Sequence, residues 1–525
     1  MKTPCDEIAM QSCHTDASPD SRAQPWILVA TILGSSMAFI DSTVANVALP
    51  ALQSSLNASV VDAQWVVESY GLFLGALILV GGSMGDLFGR RRMYLAGISV
   101  FTLASVACGL AANIQQLITA RAVQGVGAAF LVPGSLALIG ASFNEKDRGR
   151  AIGTWSGFTA ITTGFGPVLG GWLIQHASWR WAFFMNVPIA VAVLVICVWH
   201  VPESKRPGIG HIDWAGALLA TLGLGGIVYA LVESPVLGWK QPLVIVPAIA
   251  GSVCLLTFLR VESRSSSPMV SLKLFKSKTF SGANLITLFL YAALGIFFFL
   301  LPLNLIQVQG YSPSAAGAAG LPFIVLMFSL SRWSGGLVNQ YGPRAPLIFG
   351  PLLSAAGFLL FAVPSLGHSY WTTFFPAYVV LGLGMAITVP PLTTIVMQAV
   401  AQGHSGAASG INNAVARVAG LLAIAVFGVT MLAAFQSYLH RELARLSISP
   451  QAQQEIQENE LKLAALPLPS SLGAEDRAAV KGAIDHAFIF GFRLVLVICS
   501  ALAGVCAIFS WLLIEVQATK IAYRQ

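Results

Sequence analysis

The sequence predicts an all-α protein that crosses a membrane many times, and three observations support this fold class. Hydrophobic residues make up 56% of the chain and charged residues only 10%, whereas about 25% of the residues in a soluble domain are charged. The hydrophobic residues form fourteen runs, each long enough to cross a bilayer. A short internal repeat follows the second and the tenth run and divides the runs into two related sets.

We number the predicted spans 1 to 14 in chain order. They are expected at residues 26–49, 64–84, 93–112, 114–140, 150–175, 181–200, 212–233, 242–260, 280–306, 315–338, 345–364, 371–394, 405–434 and 487–513. An even number of spans places both chain ends on one side. Lysine and arginine are concentrated at the ends and in alternate loops, so the positive-inside rule predicts that this side is cytoplasmic. Residues 1–24 are predicted to be a disordered cytoplasmic tail, and 515–525 a second cytoplasmic tail.

The internal repeat indicates how the spans are grouped. Residues 82–91, GSMGDLFGRR, share two glycines and an arginine with residues 335–344, GGLVNQYGPR, although Asn339 replaces Asp86. We therefore expect two related six-helix bundles facing each other, a plan typical of transporters. The predicted domains are an N-terminal bundle at 25–200, two inserted transmembrane helices at 205–262 and a C-terminal bundle at 279–514. The last includes a long outer loop at 435–486, for which we expect short helices.

Asp41 is a carboxylate inside span 1, about 12 Å from the end of the run at Leu49. An unpaired charge at that depth costs several kcal/mol. Arg121 in span 4 lies about 10 Å from the same face, so an Asp41–Arg121 pair is expected. Glu68 in span 2 lies about 6 Å from that face, either at the rim of this cluster or in contact with water. A carboxylate balanced between burial and a nearby arginine can take up and release a proton.

Two further blocks are rich in glycine. The loop after span 2 contains Gly82, Gly85, Asp86, Gly89, Arg90 and Arg91. Its glycines allow helices to end tightly, and its aspartate is expected to cap a helix or to pair with a basic side chain of a neighbouring bundle.

In span 5, Pro167 is expected to bend the helix. Four glycines beside it allow a partner helix to approach closely, namely Gly164, Gly166, Gly170 and Gly171. A kinked span with a smooth face suits an interface at which two bundles rock, and close packing without such movement is the alternative.

These blocks resemble sequence patterns of the major facilitator superfamily and, in particular, of its fourteen-helix drug:proton antiporter branch. The loop after span 2 is similar to G-x-x-x-D-x-x-G-R-[RK], and residues 166–171 match the core of the antiporter signature G-x-x-x-G-P-x-x-G-G. Residues 41–50 are similar to D-x-T-[VI]-x-N-V-A-L-P, and residues 117–129 resemble the family's block in span 4. The resemblance covers about residues 26–515.

The resemblance implies the major facilitator fold and a proton-coupled secondary antiporter. Such a protein exports amphipathic drugs or toxic compounds across the inner (plasma) membrane by alternating access. Asp41 would couple transport to protons, Arg121 would tune it, and Glu68 is the second candidate. The loop after span 2 would act as a conformational switch. A dedicated exporter of one anionic or neutral metabolite and an uptake symporter of the same fold are the alternatives.

The substrate cavity is expected to include Phe39, Phe165, Tyr291, Asn413 and Arg417. Aromatic side chains offer surface to amphipathic compounds. The charges inside the spans argue against a simple cation site, because two clear carboxylates are outnumbered by Arg121, Arg332, Arg417 and Arg493. If Arg417, near the middle of span 13, faces the cavity, an anionic substrate is favoured, and an internal hydrogen bond is the alternative.

Several other functional classes are disfavoured. The sequence has no P-loop G-x-x-x-x-G-K-[ST], which argues against ATP-driven pumping, and no cluster of His, Asp and Cys that a membrane-embedded enzyme would need. The seven cysteines include no C-x-x-C pair. We therefore expect no enzymatic activity, no cofactor, no metal and no nucleic-acid partner. The expected partners are a small-molecule substrate, protons and the lipid bilayer, with a monomer as the default state.

Overall fold

The computed structural model describes residues 23–205, 213–265, 268–364, 366–367, 369–400 and 405–515. The two predicted tails therefore lie almost entirely outside the described residues. Within these ranges the chain is helical, and they contain no β-strand. The predicted all-α fold is confirmed.

Fourteen helical segments among the described residues are long and apolar enough to cross a membrane, as predicted. We keep the numbers 1 to 14 for them. Their bounds are Gln24–Leu56, Val60–Phe88, Arg90–Leu110, Ile114–Ser142, Arg150–His176, Trp181–His200, Trp214–Leu237, Pro242–Arg264, Lys278–Val308, Pro313–Ser331, Arg344–Ala362, Phe374–Gln398, Ala408–Leu443 and Ala474–Leu513.

Several spans are interrupted or prolonged. Span 6 consists of helices Trp181–Phe184 and Asn186–His200. Span 9 ends in a π-helical turn, Asn304–Val308. Span 10 comprises helices Pro313–Ala319 and Leu321–Gly335, and a short helix, Leu337–Tyr341, follows it. The helix of span 5 begins at Glu145 and that of span 13 at Ser405.

The loop between spans 13 and 14 is shorter than predicted. Residues 436–443, predicted as part of a separate short helix, continue span 13 to Leu443, and span 14 already begins at Ala474. The connection itself contains helix Pro450–Glu458 and the 3₁₀ helix Glu460–Ala465. The sequence pattern did not separate these elements because an amphipathic segment that prolongs a span has the same periodicity as a free surface helix.

We call the side of the protein where both chain ends lie the terminal face, and the other side the opposite face. Spans 1 to 6, here named the N-terminal bundle, pack on one another, with spans 1, 5 and 6 in contact and span 4 between spans 2 and 3. Spans 9 to 14, the C-terminal bundle, pack likewise, with span 11 against spans 12 and 14. Spans 7 and 8 form a hairpin beside them.

The hairpin lies where the two bundles adjoin. Span 7 packs on span 8 and also contacts span 2 and span 13. The indole Nε1 of Trp65 in span 2 donates a hydrogen bond of 2.7 Å to Glu233 in span 7. Span 8 turns most of its side chains outward, so the hairpin adds lipid-facing surface without separating the bundles.

The two bundles meet at the opposite face through hydrogen bonds and close backbone contacts. Gln307 Nε2 in span 9 donates to Gln53 Oε1 in span 1 at 2.8 Å. Backbones also approach closely between spans 5 and 10, since a Cβ atom on Gly171 would collide with the backbone of Pro313, and one on Gly317 with the backbone of Pro167. The loop before span 14 crosses the same face, where Lys462 Nζ donates to Asn57 Oδ1 at 2.7 Å.

Spans 5 and 10 separate towards the terminal face. A Cβ atom on Gly153 or Gly157, in the terminal half of span 5, would meet no heavy atom within 4 Å. Helix Leu321–Gly335 of span 10 contacts span 5 much less than helix Pro313–Ala319, which lies nearer the opposite face. The protein is therefore closed at the opposite face and open between these spans towards the terminal face.

Closure of the opposite face should depend on Gly317. In a variant without native cysteines, we expect a short bismaleimide to join cysteines placed at Gln53 and Gln307. Adding Gly317→Val should reduce the cross-linked fraction about fivefold or more, because overpacking against backbone costs about 1–3 kcal/mol.

Gly140→Val is the matched control, because a Cβ atom at Gly140 meets nothing within 4 Å. Equal cross-linking in the Gly317→Val and Gly140→Val proteins would contradict this account of the interface.

Candidate functional site

Asp41 is 1% exposed and lies in a closed network of hydrogen bonds within the N-terminal bundle. Arg121 Nη1 donates to its Oδ2 at 2.5 Å. Its Oδ1 accepts from Gln124 Nε2 at 2.8 Å and from Asn186 Nδ2 at 3.2 Å. The structure thus brings together Asp41 and Arg121, the two residues whose depths match in the sequence, and adds two neutral donors.

Arg121 is held by span 2 as well as by span 1. Its Nε donates to the Val66 carbonyl at 3.1 Å, and its Nη1 also donates to Gln124 Oε1 at 2.7 Å. Its guanidinium carbon lies 4.1 Å from the centre of the Tyr70 ring, a cation–π distance. The ion pair therefore fixes span 4 against spans 1 and 2 at once.

Sequence reasoning missed the neutral members of this network. Gln124 stands three residues after Arg121, so the two side chains share a helix face, and this spacing was available as a signal. Asn186 begins the second half of span 6 and also donates to Ser105 Oγ in span 3 at 3.0 Å. No local pattern in the sequence relates Asn186 to Asp41, because the contact joins spans far apart in the chain.

Glu68 lies on the face of span 2 that packs against span 13. Gln64, one turn before it, donates from Nε2 to the Ile424 carbonyl at 3.2 Å. Gly71, one turn after it, faces Leu421, whose Cδ1 would lie 3.5 Å from a Cβ atom at Gly71. Residues at these spacings share one helix face, so Glu68 is at the contact between the two bundles.

The carboxyl group of Glu68 has no partner. The residue is 0% exposed, and neither carboxyl oxygen forms a hydrogen bond to any described residue. The expectation that Glu68 contacts water is therefore wrong in this conformation. Glu68 does not join the hydrogen-bond network of Asp41 either. That network contacts span 2 at Val66 and Tyr70, which lie on a different side of the helix from Glu68.

Span 5 is fitted to span 1 at the predicted glycines. Pro167 lies inside the helix and cannot donate to the Thr163 carbonyl. The hydroxyl of Thr43 in span 1 lies 3.5 Å from that free carbonyl. Side chains of span 1 occupy the space at Gly166 and Gly170, whereas Gly164 and Gly171 face span 10. One helix thus presents smooth surfaces to both bundles.

The glycine-rich loop is joined to the end of span 6. Asp86 pairs with Arg90 of the same loop at 2.8 Å, and this local pair, not one with a basic group of the other bundle, is the ion pair it forms among the described residues. The carboxylate of Glu203 accepts from the backbone N–H groups of Arg91 and Arg92, both at 3.1 Å, and thereby caps span 3.

Within the same loop, Gly89 has φ +115°, a conformation that favours glycine. A Cβ atom there would also collide with the Glu203 carboxylate. Gly82 and Gly85 lie in the last turns of span 2 before this bend. Sequence reasoning missed Glu203, which lies after span 6 with no recognisable pattern around it.

Three predicted cavity residues share the space between the bundles. The guanidinium carbon of Arg417 in span 13 lies 6.0 Å from the centre of the Phe39 ring in span 1. Asn413, one turn nearer the terminal face than Arg417, is exposed and donates only to the Ser409 carbonyl of its own helix. An exposed amide inside a span shows that this space is accessible from the terminal side.

The other two predicted cavity residues are placed differently. Phe165 is 52% exposed and continues an outward-facing stripe with Phe158 and Trp172. Since Gly164 faces span 10 and Gly166 faces span 1, Phe165 points away from both contacts. The expectation that Phe165 lines the cavity is therefore wrong.

Tyr291 is half-buried in span 9. It lies between Thr287, which accepts from Asn412 of span 13, and Gly295, which packs on Gly420 of span 13. It therefore faces span 13 within the C-terminal bundle, beside the helix that carries Arg417.

Two helical bundles that enclose buried charges and close at one face define a polytopic membrane protein of the transporter class. The chain belongs to the Major Facilitator Superfamily, whose family model matches residues 31–424.

Curated relatives cover nearly the whole chain. It is 35% identical to the multidrug resistance protein Stp of Mycobacterium tuberculosis, over 94% of this chain and 92% of that protein. It is 30% identical to the tetracenomycin C resistance and export protein of Streptomyces glaucescens, with the same coverage.

Among solved structures, a bacterial homologue of the human lysosomal transporter Spinster, inward-facing and occupied, has a TM-score of 0.63 at 19% identity. The match covers 94% of this chain and 97% of the Spinster homologue. This likeness confirms the major facilitator fold.

The buried ion pair should show strong coupling. Removing one partner from a buried pair costs about 3–5 kcal/mol because an uncompensated charge remains. Asp41→Asn and Arg121→Gln should therefore each lower the thermal unfolding midpoint in detergent, and the double variant should be less destabilised than the sum of the two.

Asp86→Asn and Arg90→Gln form the matched control cycle, because this pair lies where span 2 ends and span 3 begins and is partly exposed. An exposed pair contributes about 0–1 kcal/mol, so its changes should be small. Additive effects at Asp41 and Arg121 would contradict the coupling.

Proposed function

We propose that the protein is a proton-coupled secondary antiporter that exports amphipathic small molecules by alternating access. Membership of the Major Facilitator Superfamily supports the transport mechanism, and the names of the relatives, which concern drug resistance and export, support the direction and the kind of substrate. We propose a transporter that works without enzymatic chemistry and without a cofactor.

The proposal of proton coupling is based on two fully buried carboxyl groups whose surroundings differ. Asp41 accepts three hydrogen bonds, one of them from Arg121, so its ionised form is stabilised in this conformation. Glu68 has no hydrogen-bond partner in the described part of the chain, and an ionised carboxylate without compensation is costly inside a membrane. We infer that Glu68 carries its proton in this conformation.

The position of Glu68 links protonation to movement. It lies where span 2 packs against span 13, near the contacts that close the opposite face. Because this surface can close only over a neutral side chain, uptake of a proton by Glu68 would favour closure. When the bundles part at the opposite face, the carboxyl group would meet water and take up a proton there. Release of that proton towards the space open at the terminal face would complete one inward transfer, and the ionised carboxylate would then favour parting of the bundles again.

We propose that the terminal face is cytoplasmic and that the membrane is the plasma (inner) membrane. The clusters of lysine and arginine at the chain ends and in alternate loops support this orientation. The conformation described here would then be open to the cytoplasm, ready to receive a compound for export. A monomer remains our expectation for the oligomeric state.

Two other elements would guide the movement. The glycines of span 5, Gly164 to Gly171, lie against both spans 1 and 10, so this helix can serve as the surface on which the bundles rock. The loop after span 2 is attached to its own bundle through Glu203, and we propose that it acts as a switch by moving with that bundle as one unit.

Proton coupling is tested in everted membrane vesicles with an acidic interior, by uptake of tetracenomycin C and of ethidium. Wild-type vesicles should accumulate at least one of the two compounds, and collapse of the pH gradient should abolish accumulation. Asp41→Asn should reduce gradient-driven accumulation about tenfold or more, since it removes an ionisable group. Glu68→Gln, a permanently neutral side chain, should abolish accumulation but still allow equilibration.

Glu233→Gln provides the control, because Glu233 is a carboxylate in span 7 that bonds to Trp65 away from both networks. It should accumulate both compounds like the wild type. Normal gradient-driven accumulation in both Asp41→Asn and Glu68→Gln would refute the proposed coupling.

A further inference from the structure

Arg417 is a cation near the middle of a membrane span and lacks a partner of its own. No hydrogen bond or ion pair reaches its guanidinium from the residues that the structure describes. Its guanidinium carbon lies 6.0 Å from the centre of the Phe39 ring, and Tyr70 of span 2 is near enough to interact with it electrostatically. An unpaired charge inside a membrane is costly and is found where it serves a pathway or a binding site. Its position therefore calls for a ligand.

Two other arginines within the spans show how this protein satisfies such a group. Arg121 is paired with Asp41. Arg493 in span 14 donates to the carbonyls of Val363 and Pro364, at 3.0 and 3.2 Å. Internal bonds were the alternative expectation for Arg417, and the described residues provide none. Because no described residue compensates Arg417, a bound anion is the candidate partner.

The residues around Arg417 form a site at which a ligand could bind. Its Cβ lies 3.8 Å from the position of a Cβ atom on Gly75, so the side chain starts at the contact with span 2 and reaches the Phe39 ring of span 1. Phe39, Ser42 and Asn46 share one partly buried face of span 1.

Asn46 adds a second unsatisfied group to this site. Its Oδ1 is buried and has no hydrogen-bond partner within the described ranges. The face of span 1 that carries the Phe39 ring thus also offers the Ser42 hydroxyl and the Asn46 amide oxygen, about one and two turns nearer the opposite face.

We propose that Arg417 and Phe39 form a substrate subsite for amphipathic organic anions, with the guanidinium binding a carboxylate or similar acidic group and the ring packing on the apolar part. This inference rests on the proposed transport function and narrows its substrate class. A guanidinium binds a carboxylate through charge-assisted, often paired hydrogen bonds. The buried Asp41–Arg121 pair is neutral as a whole, so Arg417 makes the site positive.

The charge of the substrate also changes how transport is driven. For each proton that enters, export of a monovalent anion moves more positive charge inward than export of a neutral compound, and export of a monovalent cation moves none. A membrane potential that is negative inside the cell therefore assists anion export. We expect anion transport by this protein to be accelerated by such a potential.

Three probes with one scaffold test the subsite: 2-naphthoate, methyl 2-naphthoate and 2-naphthylmethylammonium. Binding of each tritiated probe is measured by scintillation proximity on the full-length protein in detergent. The wild type should bind the anion about tenfold or more tightly than the cation. Arg417→Gln should abolish this preference and change the dissociation constant of the ester by about twofold at most.

Two further variants keep the test decisive. Arg417→Lys retains the charge and should retain part of the preference for 2-naphthoate. This variant keeps the subsite testable if the Arg417→Gln protein does not fold. Arg493→Gln removes another arginine of the C-terminal bundle, one that bonds to backbone carbonyls, and should leave the preference as in the wild type.

The inference is overturned if the wild type shows no preference for 2-naphthoate, if Arg417→Gln retains the preference, or if all three probes are weakened equally. Gradient-driven accumulation of tetracenomycin C or ethidium is measured in parallel, in everted vesicles that contain the same variants. Accumulation without anion preference would reject the subsite alone, whereas loss of all gradient-driven accumulation in the wild type would reject the proposed function.

Discussion

The buried pair of Asp41 and Arg121 is the interaction on which the N-terminal bundle depends. A lone carboxylate or guanidinium at this depth would cost several kcal/mol, so the surrounding helices must supply every partner. Arg121 bonds to spans 1 and 2, and Asn186 connects Asp41 to span 6 and, through Ser105, to span 3. Five spans are thereby held in one arrangement, and any large movement must carry them together.

The contact between the bundles depends on weaker interactions than the buried ion pair. Among the described residues no ion pair joins the two bundles. They meet through neutral amide groups, such as Gln53 with Gln307 and Gln64 with the Ile424 carbonyl, and through backbone contact at Gly171 and Gly317. A neutral hydrogen bond contributes only about 1 kcal/mol, far less than breaking a buried ion pair costs. This difference separates rigid bundles from an interface that can open.

Glu68 and Arg417, two ionisable side chains without partners among the described residues, lie at that interface or in the space beside it. Glu68 is buried between spans 2 and 13, and Arg417 reaches from span 13 towards Phe39. Groups inside one bundle can be satisfied permanently, whereas groups between bundles change surroundings with each movement. The same geometry therefore supports a proton at Glu68 and an anionic ligand at Arg417, on the two bundle surfaces that move relative to each other.

The sequence by itself determined the fourteen spans, their family and the meeting of Asp41 with Arg121. Span length and burial cost are local properties, and depth along a helix follows from counting residues. Only the tertiary structure decided which direction each side chain faces. It turned Phe165 outward, joined residues 436–443 to span 13, placed Asn186 beside Asp41 and left Glu68 and Arg417 unpaired. Rotation of a helix about its axis depends on its neighbours, and residue counting carries no information about them.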